Sequence, residues 1–404
     1  MTFPSLRLGL SSGAFFPGLA TEETVDAAAR FGIQDMEVML QTAGEYEPGF
    51  VRHVNQRARA AGVSVHSVHS LVQLHPVFDA YARRREEGWR LFERAVEAAG
   101  ELGAKVLVWH GACHRGAEER VTSRHHLDSI DRLAGLCLKN GIALGLENVS
   151  WCLLAQTRDV LTLIAAIDDL EHARAVKFTF DAFQAAEAGA NPFMVLAAME
   201  QRLANVHLRD YRQSVPDSRN LLPGDGELPW PALIRAIGAS GYDGPLILEG
   251  ALEADDREAM DRVRRFLEPL IALQPAPSRV CEGRLPPGVI AGIELFNRGE
   301  YYECHEEIEH EWHAERGQIR RLYQGILQIG VGLHHARGGN KRGAVLLLSD
   351  GIAKVSEFLP ECRGLDTQKL VEQSERCLAA ISGPDEEAIS HFDWDLAPRI
   401  DLPA

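Results

Sequence analysis

The feature that most constrains the fold is a regular alternation of short apolar runs and longer helical segments up to about residue 273. The apolar runs have strand length and lie at residues 6–10, 33–39, 63–69, 104–110, 142–147, 176–181, 204–208 and 245–249. Segments of helical periodicity follow them, at residues 22–31, 50–61, 80–102, 123–140, 157–170, 192–202, 230–240 and 255–273. Glycines stand where several of these helices should end, as C-cap glycines do. Eight consecutive strand–helix units predict a parallel (β/α)8 TIM barrel, an α/β fold.

The alternation stops at a proline-rich stretch, residues 274–287, which predicts a linker because proline cannot continue the last helix. Only helical patterns follow it, at residues 289–296, 301–316, 319–337, 342–358 and 367–381. We therefore predict a barrel domain over residues 1–273 and a small all-α helical bundle over residues 288–391, followed by a tail at residues 392–404. A length of 404 residues also exceeds what one hydrophobic core usually serves.

Side chains of metal-ligand type lie at the ends of six successive predicted strands. In chain order they are His69, His110, Glu147, Asp181, His207 and Glu249. The carboxyl ends of barrel strands meet on one face, where active sites form, so we expect these side chains to converge. For one of them alone, such as His69, a structural role is the better interpretation, but six in series are hard to attribute to chance. The three carboxylates and one imidazole of the last four suit a divalent ion such as Mn²⁺, Mg²⁺, Co²⁺ or Zn²⁺.

Charge and cysteine content bear on partners and location. The formal net charge of −16 argues against a general electrostatic affinity for nucleic acid or anionic lipid. No apolar run reaches membrane-spanning length. Seven scattered cysteines suit a reducing compartment better than a disulfide scaffold. We therefore predict a cytoplasmic protein with no nucleic-acid or membrane partner, and the sequence leaves a homo-oligomeric state open.

Five short motifs accompany the last four strand ends. They are L-E-N at residues 146–148, T-F-D at 179–181, V-H-L-R-D at 206–210, P-G-D-G at 223–226 and L-E-G at 248–250. Together they resemble the xylose-isomerase-like superfamily, which includes sugar phosphate isomerases and epimerases, inosose dehydratases and endonuclease IV. The resemblance implies that Glu147, Asp181, His207 and Glu249 hold a catalytic metal. For an isomerase or epimerase of a small carbohydrate, it also implies that Glu147 and Glu249 act as acid and base through a cis-enediolate.

The resemblance to endonuclease IV is incomplete. The three-zinc cluster of that enzyme needs histidines at two positions where this chain has Gln184 and Arg219. His69 and His110, however, match the pair that binds a second zinc there with a bridging Glu147. We therefore expect one or two ions per chain. A metal phosphodiesterase and a non-catalytic sugar-binding or sensory protein are the alternatives to the isomerase.

Two neighbours of the predicted ligands are candidates for contact with substrate. Arg212 follows His207 closely and is either a ligand for a substrate oxyanion or a surface partner of Asp210 or Asp217. Trp109 precedes His110 and either walls the pocket or packs in the core.

The helical region carries motifs of its own. F-N-R-G-E-Y-Y-E-C-H-E-E-I-E-H-E-W at residues 296–312 and L-Y-Q-G-I-L-Q at 322–328 resemble a small bacterial helical family of unknown function. His305, Glu306 and Glu309 recur at helical spacings within the first motif, and a buried polar cluster or a metal site is one hypothesis for them. A hydrogen-bonded network that fixes helix register is the favoured interpretation, and a metal site is the alternative. The motif H-E-E-I-E lacks the second histidine of zinc proteases, which argues against protease activity.

Overall fold

The computed structural model describes residues 6–70, 77–113, 120–212, 220–272, 280–382, 389–390 and 392–402. The chain divides into two compact units, Met1–Gln274 and Pro275–Ala404. Residues 274–279 of the predicted linker lie outside the described residues, as do Asp217 and Arg219. Within the described ranges, no helix is both long and apolar enough to cross a membrane.

The first unit is a closed barrel of eight parallel strands, which confirms the predicted fold. Its strands are β1 (Arg7–Ser11), β2 (Asp35–Met39), β3 (Ser64–His69), β4 (Val106–Trp109), β5 (Ala143–Glu147), β6 (Val176–Asp181), β7 (Leu203–Leu208) and β8 (Pro245–Leu248). Each strand pairs with the next, and β8 closes the barrel on β1. The interior is tightly filled, because a Cβ atom on Gly145 would lie 2.6 Å from Val106 Cγ1 and 2.8 Å from Thr179 Oγ1.

Helices surround this barrel as the sequence predicted. They are α1 (Thr24–Arg30), α2 (Pro48–Ala61), α3 (Ala82–Leu102), α4 (Arg124–Lys139), α5 (Thr157–Ile167), α6 (Ala182–Glu187), α7 (Pro192–Met199), α8 (Trp230–Ala239) and α9 (Arg257–Ala272). The short helix α6 was not predicted. It begins directly after β6, where the Asp181 side chain accepts a hydrogen bond from the Gln184 backbone N at 2.9 Å and so caps the helix.

The second unit is helical, as predicted. It consists of α10 (Pro287–Arg298), α11 (Tyr301–Ala314), α12 (Arg320–Arg337), α13 (Lys341–Ser356) and α14 (Thr367–Ile381), with a two-stranded antiparallel ribbon of β9 (Glu361–Cys362) and β10 (Leu365–Asp366). Helices α12 and α13 approach closely at Gly325, where a Cβ atom would lie 2.8 Å from Val355 Cγ2 and 3.0 Å from Gly351 O. Ile308, Ile326 and Leu348 fill the bundle core.

The cysteine pattern was misleading for one pair. Cys281 and Cys362 form a disulfide within the second unit, whereas the sequence had suggested reduced thiols. The two residues are 81 positions apart and meet only after folding, where the Arg363 backbone N donates a hydrogen bond to Cys281 O at 3.0 Å. A count of scattered cysteines cannot show that proximity.

Candidate metal centre

The six ligand-type side chains converge at the carboxyl ends of the barrel strands. They form two groups that share Glu147, and within each group one ligand atom per residue lies within 4.8 Å of the others. The larger group consists of Glu147, Asp181, His207 and Glu249, and the smaller one of His69, His110 and Glu147. The spacing is short enough for one cation to contact all members of a group.

Glu147 stands between the two groups and faces both of them. Its Oε1 atom lies 3.2 Å from His207 Nδ1. Its Oε2 atom lies 3.0 Å from His110 Nε2 and 3.2 Å from His69 Nε2. His69 Nδ1 lies 2.9 Å from Ser70 O and donates its hydrogen there, because a carbonyl oxygen can only accept. The nitrogen that His69 turns toward Glu147 is therefore the one that can bind a cation.

Arg209 lies among the candidate ligands, although the sequence did not single it out. Its Nη2 donates a hydrogen bond to Asp181 Oδ2 at 2.8 Å and lies 3.9 Å from Glu249 Oε2. Its guanidinium also lies over the Phe183 ring, 4.5 Å from the centroid. Arg209 stands two residues after His207, a spacing that places side chains on the same side of an extended chain, and that spacing was the available signal.

Glu37 is a second residue near the candidate ligands that the sequence did not single out. It lies in the middle of β2, and its side chain is fully buried. Its Oε2 atom lies 3.0 Å from His207 Nε2, on the opposite edge of the imidazole from Glu147. The signal was a single carboxylate within a strand that is otherwise apolar over its last four positions.

Burial and neighbouring charges shift the pKa values of the carboxyl groups in different directions. Burial raises the pKa of Glu249 to about 7, although His207 and Arg209 oppose the shift. Burial also raises the pKa of Asp181, against the opposing charge of Arg209. For Glu147, the charges and hydrogen bonds of His207 and His110 overcome burial and hold its pKa well below the usual range. Glu147 is thus a firmly ionised group, and Glu249 is poised near neutral pH.

The pKa values of the three histidines also shift in different directions. Burial by itself lowers the pKa of His69, but the hydrogen bond to Glu147 and the surrounding carboxylates raise it to about 9. The pKa of His207 is raised well above its usual value, because the charges of Glu249, Glu37 and Glu147 outweigh burial. Burial lowers the pKa of His110. In the absence of a cation, protons on His69 and His207 therefore balance part of the buried negative charge.

The donor set fits a divalent cation. Glu249 Oε1 is buried and accepts no hydrogen bond within the described part of the chain, so it is available as a ligand. Three carboxylates and one imidazole provide mainly hard oxygen donors, which suit Mg²⁺, Mn²⁺, Co²⁺ or Zn²⁺.

A cavity of about 560 Å³ opens above these residues. Glu147, Glu249, His110 and Arg209 lie in its wall, and residues 39–42 at the end of β2 form another part of it. Phe16 and Trp151 contribute apolar surface, and the Trp151 ring contacts that of His110 edge-on at 5.5 Å. This volume suits a small-molecule ligand.

Comparison with known proteins identifies the barrel. A family model described as a xylose isomerase-like TIM barrel matches residues 25–270, which is more than half of the chain. The chain belongs to this family. A second model, described as Domain of unknown function (DUF309), matches residues 289–347 in the helical unit. The fusion suggested by the sequence motifs is therefore confirmed.

Individual relatives agree with the family assignment. An uncharacterized protein of Mycobacterium tuberculosis is 25% identical over 280 residues, which cover 64% of this chain and 94% of that protein. An inosose dehydratase of Clostridium botulinum is 22% identical over 199 residues, covering 46% of this chain and 54% of the dehydratase. The crystal structure of a D-tagatose 3-epimerase-like protein superposes with a TM-score of 0.56 at 18% identity, over 66% of this chain and 98% of the other.

Trp109 does not line the cavity of this xylose isomerase-like barrel. It is 2% exposed and packs its ring against Phe92 and Phe78, with centroids 5.4 and 5.9 Å apart. The prediction that it contacts substrate is wrong, because successive side chains of a strand point to opposite faces. The residue next to a ligand at a strand end therefore faces the surrounding helices.

Arg212 also lies outside the cavity lining. It is exposed, and its Nε donates a hydrogen bond to Asp225 O at 3.0 Å. The expected partner Asp210 has a different role, because its buried carboxylate accepts hydrogen bonds from the backbone N of Gly224 and Gly226 and from Trp230 Nε1. The P-G-D-G motif is thus held to the end of β7 by Asp210, and Arg209 supplies the cation that had been expected from Arg212.

The polar residues of α11 do not form the expected buried cluster. Glu306 is exposed, and the side chains of His305 and Glu309 are 31% and 42% exposed. His305 Nε2 and His313 Nε2 lie 3.9 and 3.7 Å from Glu309 Oε1. These contacts follow the helical spacing along the surface of one helix, and burial was wrongly inferred from that spacing.

Proposed function

We propose that the barrel is a metal-dependent isomerase or epimerase of a small carbohydrate or sugar phosphate. The observation that carries the proposal is the group of Glu147, Asp181, His207 and Glu249, two of which, Glu147 and Glu249, line a cavity of small-molecule size. Membership of the xylose isomerase-like family, together with an epimerase-like structural neighbour, supports an enzyme of small carbohydrates, and the dehydratase-named relative shows that the family is not confined to isomerisation.

In this proposal Glu147, Asp181, His207 and Glu249 hold one divalent cation. A bound cation of this kind polarises a substrate carbonyl and makes the adjacent C–H bond more acidic. Asp181 and His207 are fully buried and would serve as fixed ligands. Glu147 and Glu249 both line the cavity and therefore reach the substrate as well.

The two glutamates exchange the substrate proton. One carboxylate removes a proton from the carbon beside the carbonyl. In an epimerisation the other carboxylate returns a proton to the opposite face of the cis-enediolate. In an isomerisation a proton is returned to the former carbonyl carbon while the hydroxyl proton moves to the former carbonyl oxygen, and exchange with solvent restores the starting protonation of the two glutamates. In the metal-free protein burial raises the pKa of Glu249 to about 7, whereas the pKa of Glu147 is held well below its usual range, so Glu249 is the more readily protonated of the two glutamates. The Arg209 guanidinium lies beside Glu249 in the cavity wall, where it compensates negative charge that develops on a substrate oxygen.

Deuterium incorporation tests this reaction class even when the product is unidentified. The metal-loaded protein is incubated in D₂O with a panel of ketoses and ketose phosphates, and exchange at the carbon beside the carbonyl is followed by proton NMR. We expect exchange with at least one sugar and its loss in Glu249→Gln. Arg212→Ala is the matched control, because Arg212 lies outside the cavity lining and should leave exchange intact. Absence of exchange across the panel would contradict the proposal.

The group of His69, His110 and Glu147 favours a metal phosphodiesterase as a second candidate. These residues would hold a second ion beside the first, and two neighbouring metals are typical of phosphodiester hydrolysis. Hydrolysis of a chromogenic phosphodiester, together with two ions per chain by elemental analysis, would favour this candidate. Sugar binding without exchange or hydrolysis would instead indicate a binding protein.

A further inference from the structure

We propose that Glu37 positions His207 for metal binding, although Glu37 is not itself a metal ligand. Glu37 lies on β2, away from the strands that carry the four-residue group, and it belongs to neither group of converging ligand atoms. The inference rests on the proposed function, because it requires a cation at Glu147, Asp181, His207 and Glu249.

Hydrogen bonds from three other side chains fix the Glu37 carboxylate. Ser11 Oγ on β1 donates to its Oε1 at 3.2 Å, and Ser67 Oγ on β3 donates to its Oε2 at 2.8 Å. Asn205 Nδ2 on β7 donates to Oε2 at 3.1 Å. Because these donors stand on hydrogen-bonded barrel strands, the carboxylate is held rigidly. A buried carboxylate is costly unless it accepts hydrogen bonds, and these three donors supply them.

The contact with Glu37 sets the tautomer of His207. Glu37 Oε2 lies 3.0 Å from His207 Nε2, and an acceptor oxygen at that distance requires a hydrogen on Nε2. Asn205 Nδ2 also lies 3.0 Å from Nε2. Asn205 Nδ2 could donate to Nε2 only if Nε2 carried a lone pair. That lone pair would then face the Glu37 carboxylate oxygen, which would repel it. The neutral imidazole therefore carries its hydrogen on Nε2.

This tautomer leaves the lone pair on Nδ1, on the side of the metal-ligand group. His207 Nδ1 lies 3.2 Å from Glu147 Oε1 and 3.5 Å from Glu249 Oε1. A carboxylate behind a metal-binding histidine both orients the ring and increases its donor strength. Without Glu37, a hydrogen on Nδ1 bound to Glu147 becomes the better arrangement, and that tautomer cannot bind a cation through Nδ1.

The experiment compares Co²⁺ affinity in the full-length, metal-stripped protein. Absorption titration of the wild type and of Glu37→Gln should show about 10–100-fold weaker binding in the variant, the usual effect of losing such a partner. Glu37→Asp keeps the charge but moves it away from His207 by one methylene. The Co²⁺ affinity of this variant should therefore lie between those of the wild type and Glu37→Gln. Asp35→Asn is the matched control, because it neutralises another paired carboxylate of β2, whose hydrogen-bond partner is Arg7 rather than His207.

A spectroscopic measurement separates positioning from a merely structural role. Long-range ¹H–¹⁵N spectra of the metal-free protein, with histidine labelled and at a pH where the imidazole is neutral, should show the His207 hydrogen on Nε2 and an unprotonated Nδ1. The His207 signals are assigned from their absence in His207→Gln. A variant that only loosens the fold would lower the melting temperature without changing this pattern, whereas Glu37→Gln should change it.

The outcomes distinguish this inference from the proposed function. Equal Co²⁺ affinity in the wild type, Glu37→Gln and Glu37→Asp would overturn the role of Glu37 while leaving the metal site intact. If Glu37→Gln does not fold, wild-type affinity in Glu37→Asp is sufficient to overturn it. Absence of Co²⁺ binding by the wild type would overturn the proposed function, and this inference with it.

Discussion

Replacement of Asp181 by Asn tests the metal centre selectively, because the two oxygens of this carboxylate have different partners. Oδ1 accepts the capping hydrogen bond from the Gln184 backbone N at 2.9 Å, and Oδ2 accepts from Arg209 at 2.8 Å. The amide oxygen of asparagine can preserve the cap, since Asn is as good an N-cap as Asp. The charge and the second oxygen are lost.

The magnitudes follow from these contacts. Without a cation, Asp181→Asn leaves Arg209 buried, with Glu249 as the nearest carboxylate at 3.9 Å. We expect the free energy of unfolding of the barrel to fall by about 3 kcal/mol, at the lower end for a broken buried ion pair because Glu249 remains. Asp181→Ala should cost about 1 kcal/mol more, through the lost cap. Because a proposed direct ligand is removed, metal affinity should fall by more than the roughly 10–100-fold typical of outer partners.

Calorimetry of the stripped protein measures the stability change, and elemental analysis after dialysis against Mn²⁺ or Zn²⁺ measures the metal. Asp225→Asn is the matched control, because Asp225 pairs with Arg262 at 3.1 Å on the exposed surface. Such a pair contributes at most about 1 kcal/mol, and it lies outside the ligand groups. A full complement of metal in Asp181→Asn would refute the proposed four-residue site.

Three further predictions concern pH, nucleic acid and the two units. In the metal-free barrel, His69 stabilises the fold only while it is protonated, because its pKa is raised to about 9. This contribution, on the order of 3 kcal/mol, should be lost as pH rises from about 6.5 to about 9. Denaturation of the wild type and His69→Asn at both ends of this range measures the effect, and a pH-independent difference would contradict it. No salt-sensitive binding to duplex DNA is expected at a net charge of −16, and sub-micromolar affinity for abasic duplex at physiological salt would instead favour the phosphodiesterase. A fragment of residues 1–273 should retain its metal, because every proposed ligand lies in the first unit. Loss of metal from a soluble, folded fragment would show that the helical unit supplies a ligand.

The barrel could be predicted from sequence because its strands are buried on both faces and appear as short continuous apolar runs. The strand expected at residues 142–147 is Ala143–Glu147 in the structure. Helix α6 escaped notice because six residues are too few to show a helical period, and it starts directly from β6. The disulfide between Cys281 and Cys362 depends on tertiary proximity alone.

The candidate site was predictable where position along a strand suffices and was missed where distance in space decides. Glu147 and Asp181 close their strands, so the common barrel geometry brings them together. Glu37 lies in the middle of β2, a strand with no predicted ligand at its end. Its contact with His207 spans 170 residues of sequence. Of the two roles that the sequence left open for Trp109, the structure shows packing in the core, because neighbouring residues of a strand point to opposite faces.

The position of the ligands around the barrel has a consequence for how this family can diversify. All four members of the larger group come from β5 to β8, whereas Phe16 and residues 39–42 bring the ends of β1 and β2 into the cavity wall without adding a ligand. Exchange of the segments after β1 and β2 can therefore reshape the pocket for another substrate while the chemistry of the opposite half is preserved. Loop grafting between relatives should accordingly transfer substrate preference more readily from these two segments than from those that follow β5 to β8.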